Sequence, residues 1–212
     1  AALFPAARVA RVDRDAIRRR GTLQSLLTRF RSGELDILVG TQMIAKGHDF
    51  PGVTLVGVIS ADVGLGMADF RAAERTFQLL TQVAGRAGRG QRPGEAVIQT
   101  LYPDHFSIQL ACAQDYPTFY ARELRFRQAM RYPPALALVN AVVRAKAFVT
   151  AMADATDLAA RVRAHDPEGR SFIVLGPAPA PLARLRGEFR VQFLVKGRDR
   201  RRMREALARA VA

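Results

Sequence analysis

The stretch Gln82-Val83-Ala84-Gly85-Arg86-Ala87-Gly88-Arg89 carries the pattern from which the rest of the sequence can be interpreted. Arg86 and Arg89 are three positions apart, so a helix over this stretch places both on one face. Two guanidinium groups on one face, with the Gln82 amide one turn earlier, form a fork that suits phosphate oxygens. Gly85 and Gly88 have no side chain, so a phosphate or a second backbone can come close to them. The alternative is a solvent-facing helix with scattered arginines.

The composition predicts a folded protein with a polyanionic partner. The chain has 212 residues, of which 49% are hydrophobic, and this is enough for one large or two modest domains. Lys and Arg total 33 against 19 Asp and Glu, and the resulting net charge of +14 is concentrated from Arg131 onward. Nucleic acid is the most common partner of a chain with such an excess.

The cysteine and hydropathy patterns narrow the class of protein. The single cysteine, Cys112, is expected to be a small buried hydrophobe, and one cysteine cannot form a disulfide framework or a cysteine-ligated zinc site. No apolar run approaches the roughly 18 residues of a membrane span, so we expect no membrane partner and a cytoplasmic location. The sequence begins at Ala1 and not at Met, which suggests a fragment.

The first hundred residues alternate short strands and helices, which predicts βαβ units on a parallel sheet. One apolar stripe of helical period lies between Thr22, the expected N-cap, and Gly33, the expected stop. The apolar run Ile37–Val39 is expected to be a buried parallel strand. Further strands are expected at 8–12, 53–59 and 96–100, and a second helix at 69–89. Together they predict an α/β domain over residues 1–102.

The remaining residues predict a connector and a smaller domain. Residues 103–131 have the pattern of an amphipathic helical connector, and Tyr132-Pro133-Pro134 predicts a rigid boundary because proline restricts itself and the residue before it. Residues 132–212 predict a basic α+β domain with helices against one sheet. Its strands are expected at 136–148, 172–175 and 189–196, its helices at 150–164 and 198–211, and a stiff proline loop at 176–181.

A second candidate site follows the predicted strand Ile37–Val39. In parallel α/β sheets, ligands bind at the carboxyl ends of the strands, which is where Thr41 lies. Thr41 can cap a following helix and still offer its hydroxyl or N–H to a phosphate, although a simple N-cap is the alternative. His48 is expected to be a loop or core histidine, because no metal-binding partner lies at a useful spacing.

Taken together, the two segments resemble motifs V and VI of superfamily 2 helicases. The longer strings Ile37–Phe50, Asp69–Arg75 and Gln82–Arg89 are similar to the PriA family of replication-restart helicases (primosomal protein N-prime). Arg11–Asp15, Gly176-Pro177 and the pattern Arg190-x-Gln192 before a basic helix extend the resemblance over nearly the whole chain.

The resemblance implies a fold and a set of site residues. Residues 1–102 would be most of the second RecA-like, parallel-sheet helicase lobe, incomplete at its start, and residues 132–212 the C-terminal domain. Gln82, Arg86 and Arg89 would face ATP, with an arginine acting as the finger that stabilises charge on the transferred phosphoryl group. The other implied contacts are Gly47, Asp49 and Gly85 near the nucleotide, Thr41, Gln42 and Lys46 near DNA, and Arg202 and Arg204 at a protein partner.

The resemblance also implies cofactors and partners. Members of the family unwind DNA in the 3′ to 5′ direction at stalled or forked sites, and they bind primosome and replicative-helicase loading proteins and the acidic tail of single-stranded DNA-binding protein. The ATP and Mg²⁺ would be held mainly by a first lobe, since the sequence has no Gly-x-x-x-x-Gly-Lys-Thr and no Asp-Glu-x-His. This chain alone is therefore expected to be inactive. The zinc-binding cysteines of the family are expected only in the parent protein.

Two alternatives stay open at this point. Ser60-Ala61-Asp62 stands where the family usually has Asp-Ala-Asp, and Ala68 stands where Pro is common, so the parent could be a non-enzymatic DNA- and partner-binding adaptor on the same fold. The basic run that includes Arg202 and Arg204 could also be a solvated face, or part of a general nucleic-acid module without an acidic-tail partner.

Overall fold

The computed structural model describes residues 4–12, 21–41, 50, 52–67, 69–85, 87 and 93–211. These residues form two compact units. The first unit consists of Ala1–Gly66 with Arg71–Phe119, and the second unit consists of Met67–Phe70 with Tyr120–Ala212.

The first unit contains two pairs of parallel strands with helices between them. Strand β1 (Val9–Val12) pairs with β2 (Ile37–Gly40), and β3 (Leu55–Val58) pairs with β4 (Glu95–Ile98). Helices α1 (Thr22–Arg31) and α2 (Ala72–Ala84) connect the members of each pair, so the predicted βαβ units are confirmed. The prediction of a buried second strand is wrong, since Val39 is 51% exposed. Among the described strands, β2 has a neighbour on one side only.

Helix α1 begins and ends at glycines. Gly21 is the N-cap, with a φ of 89°, so the prediction that Thr22 caps the helix is wrong by one residue. The predicted stop is confirmed: Gly33 has a φ of 75°, its N–H donates to the Phe30 carbonyl at 3.3 Å, and the Glu34 N–H donates to the Arg29 carbonyl at 2.9 Å. This is a Schellman motif, in which a left-handed glycine closes the last turn.

The connector predicted at 103–131 consists of two helices, α3 (Phe106–Cys112) and α4 (Tyr116–Ala129). The chain turns at Gln114, which has a φ of 54°, and the Asp115 carboxylate then accepts the Thr118 N–H at 3.0 Å. Pro117 follows in the first turn, where its missing N–H costs little. Cys112 is exposed and not buried as predicted, because the neighbouring Ala111 occupies the buried face of α3.

The core of the first unit lies between α2 and the connector helices. Phe77 and Leu80 of α2 are buried against Ile108 and Ala111 of α3. The rings of Phe77 and Phe119 stack with their centroids 3.9 Å apart. This packing fixes the orientation of α2, whose last turn carries Gln82.

The second unit is an antiparallel sheet with two helices on one face. Its strands are β5 (Ala137–Ala145), β6 (Phe172–Leu185) and β7 (Glu188–Gly197), in the order β5-β7-β6. Alternate residues of β7, beginning at Val191, are buried against α5 (Phe148–Ala164) and α6 (Arg200–Val211). The core formed there consists of Ala159, Val162, Phe172, Phe193, Val195, Met203, Ala206 and Ala210.

The proline-rich loop predicted at 176–181 is instead part of β6. The strand continues through Pro177, Pro179 and Pro181, with irregular register between Leu175 and Ala178 and again between Pro179 and Arg184. Prolines are tolerated because β6 lies at an edge of the sheet, where not every N–H needs a ladder partner. A two-residue turn at Arg186 and Gly187, with φ of 53° and 84°, leads into β7.

In the second unit, two stacked aromatic rings lie between two cationic side chains, and we call the four side chains the stack. The Lys196 Nζ lies 4.3 Å from the Tyr132 ring centroid, the Tyr132 and Phe70 rings stack at 5.0 Å, and the Arg127 guanidinium lies 5.2 Å from the Phe70 ring. The Arg127 Nε also donates to the Glu123 carboxylate at 2.8 Å. Burial and the charge of a nearby arginine lower the pKa of Lys196. The stack holds the short segment Met67–Phe70 in the second unit.

Candidate nucleotide and nucleic-acid interface

The predicted site residues divide into those that the structure describes and those that it does not. Thr41, Gln82, Gly85, Arg202 and Arg204 are described. The others lie outside the described residues and stay predictions: Gln42, Lys46, Gly47, Asp49, Arg86 and Arg89, as well as His48 and Gly88.

Thr41 lies at the carboxyl end of β2. It follows Gly40, which pairs with Val12 at the end of β1, so two parallel strands end together at this edge. Thr41 is exposed there. The position agrees with the general location of ligand sites in parallel sheets, and the hydroxyl is available to an incoming phosphate.

Helix α2 positions Gln82 and ends sooner than predicted. Gln82 is exposed in the last turn, and α2 runs over Ala72–Ala84 rather than over 69–89. Gly85 forms the C-cap, and its N–H donates to the Thr81 carbonyl at 3.0 Å. The shared helical face that we expected for Arg86 and Arg89 falls outside the described residues and stays a prediction. Glycine disfavours helix continuation, and this explains the early end.

Asp62 has a structural role that the sequence reasoning missed. It lies in the short 3₁₀ helix Ala61–Gly64 after β3, and its carboxylate accepts the Leu101 N–H beyond β4 at 3.0 Å. This hydrogen bond lowers the pKa of Asp62. The bond ties together the carboxyl ends of the β3·β4 pair.

Arg202 and Arg204 lie on different sides of α6. The two are two positions apart, which corresponds to about 200° around a helix. The Arg202 guanidinium donates to the Ser171 hydroxyl at 2.8 Å and lies 3.7 Å from the Asp199 carboxylate. The Arg204 side chain is exposed and makes no ion pair with another described residue. The structure therefore does not bring the predicted partner-binding pair together on one surface.

Arg202 instead faces a shallow pocket of about 180 Å³. Its lining consists of His165, Asp166, Ser171, Phe172, Arg202, Glu205, Ala206 and Arg209. Both carboxylates are already engaged: Asp166 accepts backbone N–H groups of Arg170, Ser171 and Phe172, and Glu205 accepts from Arg201 at 2.8 Å. These hydrogen bonds lower the pKa of Asp166 and of Glu205.

The charges of this pocket balance, because its two arginines, Arg202 and Arg209, face two carboxylates, Asp166 and Glu205. Arg202 also has partners of its own in Ser171 and Asp199. Sequence reasoning missed His165 and Arg209. The spacing of Arg202 and Arg209, seven positions or two turns apart, could have identified the latter.

Clustered metal ligands and membrane-spanning helices are both absent from the described residues. Among them, no three His, Cys, Asp or Glu side chains lie close enough together to hold a metal ion. No helix of the described ranges is sufficiently long and apolar to cross a bilayer.

Comparisons with known proteins extend over both units. Residues 8–91 match the family model of the helicase conserved C-terminal domain, which implies a RecA-like lobe, and residues 128–212 match that of the primosomal protein N C-terminal domain. The chain is 50% identical over 198 residues to the replication restart protein PriA of Bacillus subtilis, covering 92% of this chain and 24% of that protein.

Other relatives give the same result. The replication restart protein PriA of Treponema pallidum is 46% identical over 195 residues, covering 92% of this chain and 29% of that protein. That of Haemophilus influenzae is 41% identical over 207 residues, covering 97% of this chain and 28% of that protein. The chain thus spans less than a third of the length of the curated relatives that it matches.

Proposed function

This chain belongs to the PriA family of replication restart proteins, and we propose that it acts as part of an ATP-dependent 3′–5′ DNA helicase that recognises stalled or forked DNA and restarts replication. The observation that carries the proposal is the 50% identity to a replication restart protein over 92% of the chain. In this proposal residues 1–102 are most of the second RecA-like lobe, 103–131 a helical connector and 132–212 the C-terminal domain. The match to a helicase family disfavours the alternative of a non-enzymatic adaptor.

The ATP-facing residues in this proposal are Gln82, Arg86 and Arg89. Gln82 supports it because its exposed amide lies in the last turn of α2, next to the segment that carries both arginines. A guanidinium directed at the transferred phosphoryl group stabilises the charge that develops there. The proposed nucleotide-edge residues are Gly47, Asp49 and Gly85. We assign the phosphate cradle and the Mg²⁺ ligands to a first lobe, so the chain alone should not hydrolyse ATP.

The DNA-facing residues in this proposal are Thr41, Gln42 and Lys46. The exposure of Thr41 at the carboxyl ends of β1 and β2 supports contact with a phosphate backbone. The net charge of +14 supports a polyanionic partner. We also propose, in a cytoplasmic, nucleoid-associated setting, contacts with primosome and replicative-helicase loading proteins.

The ATP assignment is tested in the full-length protein that carries this sequence. We expect Arg89→Ala to lower ATP turnover on forked DNA by on the order of 10³-fold, as for other arginine fingers. Arg161→Ala is the matched control, because Arg161 is an exposed arginine of α5 that pairs with Asp157 and lies outside the motif. Equal turnover in the Arg89 variant and the control would refute the finger assignment. Absence of turnover in the wild type would favour the adaptor.

Arg202 and Arg204 are the proposed contacts for the acidic tail of single-stranded DNA-binding protein. Because they lie on different sides of α6, the two are tested separately. Titration of the tail peptide against Arg202→Glu and Arg204→Glu, each in the full-length protein, shows which side of α6 binds it. We expect a loss of affinity for at least one variant, and wild-type affinity for both would remove the assignment. Wild-type affinity would also favour the alternative of a general nucleic-acid module.

A further inference from the structure

The sheet of the second unit has a second face, which we call the outer face, on the side away from α5 and α6. Val191, Phe193 and Val195 of β7 are buried under the helices, so the alternate residues Arg190 and Gln192 point to the outer face. The antiparallel register places Arg144 of β5 directly opposite Arg190, Val142 opposite Gln192 and Asn140 opposite Leu194. The outer face therefore carries the Arg-x-Gln pattern that the sequence analysis singled out.

Two cations lie side by side on this face. Paired residues of an antiparallel ladder have their Cβ atoms about 5 Å apart, and like charges at such positions are destabilising. Within the described chain, Arg144 is exposed and has no ion pair. The Arg190 Nη1 makes only a long hydrogen bond of 3.5 Å to the Leu182 carbonyl, and its Nε is buried without an acceptor. Glu188, two positions earlier on the same face, forms no ion pair with either arginine.

An amide pair borders the two cations. The Asn140 Nδ2 donates to the Gln192 Oε1 at 3.1 Å, which directs the Gln192 carbonyl oxygen at Asn140 and leaves its NH₂ group available to an acceptor. The opposite end of the outer face is occupied, since Lys196 lies against Tyr132 and donates to the Met130 carbonyl. The open half of the outer face is thus the half that contains both arginines.

We propose that Arg144, Arg190 and the Gln192 amide form a phosphate-binding site on the outer face, and that its ligand is the phosphodiester backbone of single-stranded DNA. A phosphate between the two guanidinium groups would reduce the like-charge repulsion and could accept from their terminal NH₂ groups and from the Gln192 amide. Such contacts fix register without reading sequence. The choice of DNA as the source rests on the proposed function, whereas the anion site does not.

This site is separate from the pocket at Arg202. Arg202 lies on α6, which covers the opposite face of the same sheet. Substitutions at the two places therefore report on different surfaces, and each serves as a control for the other.

The test measures binding of a fluorescent single-stranded oligonucleotide to the full-length protein over a range of salt concentrations. The variants are Arg144→Gln, Arg190→Gln and the double substitution, with Arg161→Gln on α5 as the control that removes an equal charge elsewhere. Each phosphate contact to single-stranded DNA contributes about 0.7 to the slope of log affinity against log salt. We expect the slope to decrease by about 0.7 for each arginine removed and to stay unchanged in the control. An unchanged slope in the double variant would overturn the proposal.

A second readout separates binding from a structural role. If the two arginines repel each other in the free protein, Arg144→Gln should raise the thermal unfolding midpoint without ligand while it weakens DNA binding. A lowered midpoint with unchanged DNA affinity would indicate that Arg144 only supports the sheet, and would overturn the proposal.

Additional arms identify the source of the phosphate. One arm adds inorganic phosphate. If phosphate raises the thermal unfolding midpoint of the wild type but not of the double variant, while both bind DNA with equal affinity, that result would overturn DNA as the ligand. An acidic peptide whose binding is lost in the double variant while DNA binding is retained would overturn it too. None of these measurements uses ATP, so a failure of this binding site can be distinguished from a failure of the helicase proposal, which the turnover assay tests.

Discussion

Replacing Gly197 with alanine tests how closely the strands of the second unit are packed. Gly197 is buried at the end of β7, where it pairs with Phe172 of β6 and Ala137 of β5. An added Cβ would lie 2.6 Å from the Phe172 Cβ and 2.8 Å from the Phe172 Cα, and it would also overlap the Ser171 carbonyl oxygen. No rotamer change can relieve these contacts, because they involve backbone atoms and a Cβ. The start of β6 must therefore move away from β7.

The cost of this movement can be worked out from what it disturbs. The Asp166 carboxylate accepts the N–H groups of Ser171 and Phe172 at 2.6 and 2.9 Å, and the Arg198 N–H donates to the Ser171 carbonyl at 3.2 Å. Overpacking costs about 1–3 kcal/mol, and each weakened hydrogen bond adds about 1 kcal/mol. Since all three hydrogen bonds are disturbed, we expect Gly197→Ala to lower the free energy of unfolding of the second unit by about 4–6 kcal/mol.

Urea titration followed by far-ultraviolet circular dichroism measures this loss, and tyrosine fluorescence reports on the second unit through the stacked Tyr132. Gly187→Ala is the matched control. Gly187 lies in the β6–β7 turn with open space around it, so only its φ of 84° penalises a side chain, by about 1 kcal/mol. If Gly197→Ala destabilises the protein no more than Gly187→Ala does, the packing argument is wrong.

Three further predictions concern stability. Arg127→Met should lower the free energy of unfolding in urea titration by about 3–5 kcal/mol, because it leaves the buried Glu123 carboxylate unpaired. The double variant Arg127→Met/Glu123→Leu should recover most of this loss, and a double variant as unstable as the single one would contradict the prediction. Asp166→Asn should destabilise the protein at neutral pH. Hydrogen bonds lower the pKa of Asp166 in the folded state, so its contribution to the free energy of unfolding is present above the ordinary carboxyl pKa and is lost as the pH falls through the folded pKa. The difference in free energy of unfolding between the variant and the wild type should therefore narrow in acid. A difference that does not change with pH would refute the assignment. Gly33→Ala should lower the free energy of unfolding by about 1 kcal/mol because Gly33 has a φ of 75°. Gly52 lies in open space with an ordinary φ, so Gly52→Ala should change the free energy of unfolding by no more than about 0.5 kcal/mol in the same titration. Equal effects of the two substitutions would contradict the capping argument.

Much of the fold was predictable from periodicity. The alternation of buried and exposed residues in β7 and the apolar stripe of α1 each follow from one buried face. Such a pattern is a local property of the sequence. The break at Gln114 was missed although Asp115 and Pro117 are an N-cap and first-turn signature. The local pattern predicts a loop for the proline-rich part of β6, because a position at the edge of a sheet depends on strand order, which a local pattern does not contain.

The candidate sites were predictable to a smaller extent. Thr41 and Gln82 could be selected from their motifs, and helical geometry alone separates Arg202 from Arg204. The pairing of Arg144 with Arg190 could not be predicted, because a register shift of one residue would move Arg144 to the other face. The stack of Phe70 on Tyr132 joins segments that are far apart in the sequence, so no local pattern indicates it.

The prolines of β6 also affect how the protein behaves at high concentration. An exposed strand edge recruits strands from other molecules and is a common origin of aggregation. Pro177, Pro179 and Pro181 remove the N–H donor from every second position along the middle of β6, so an incoming strand would find an interrupted ladder there. The longest strand of the sheet is thereby poorly suited to seeding self-association.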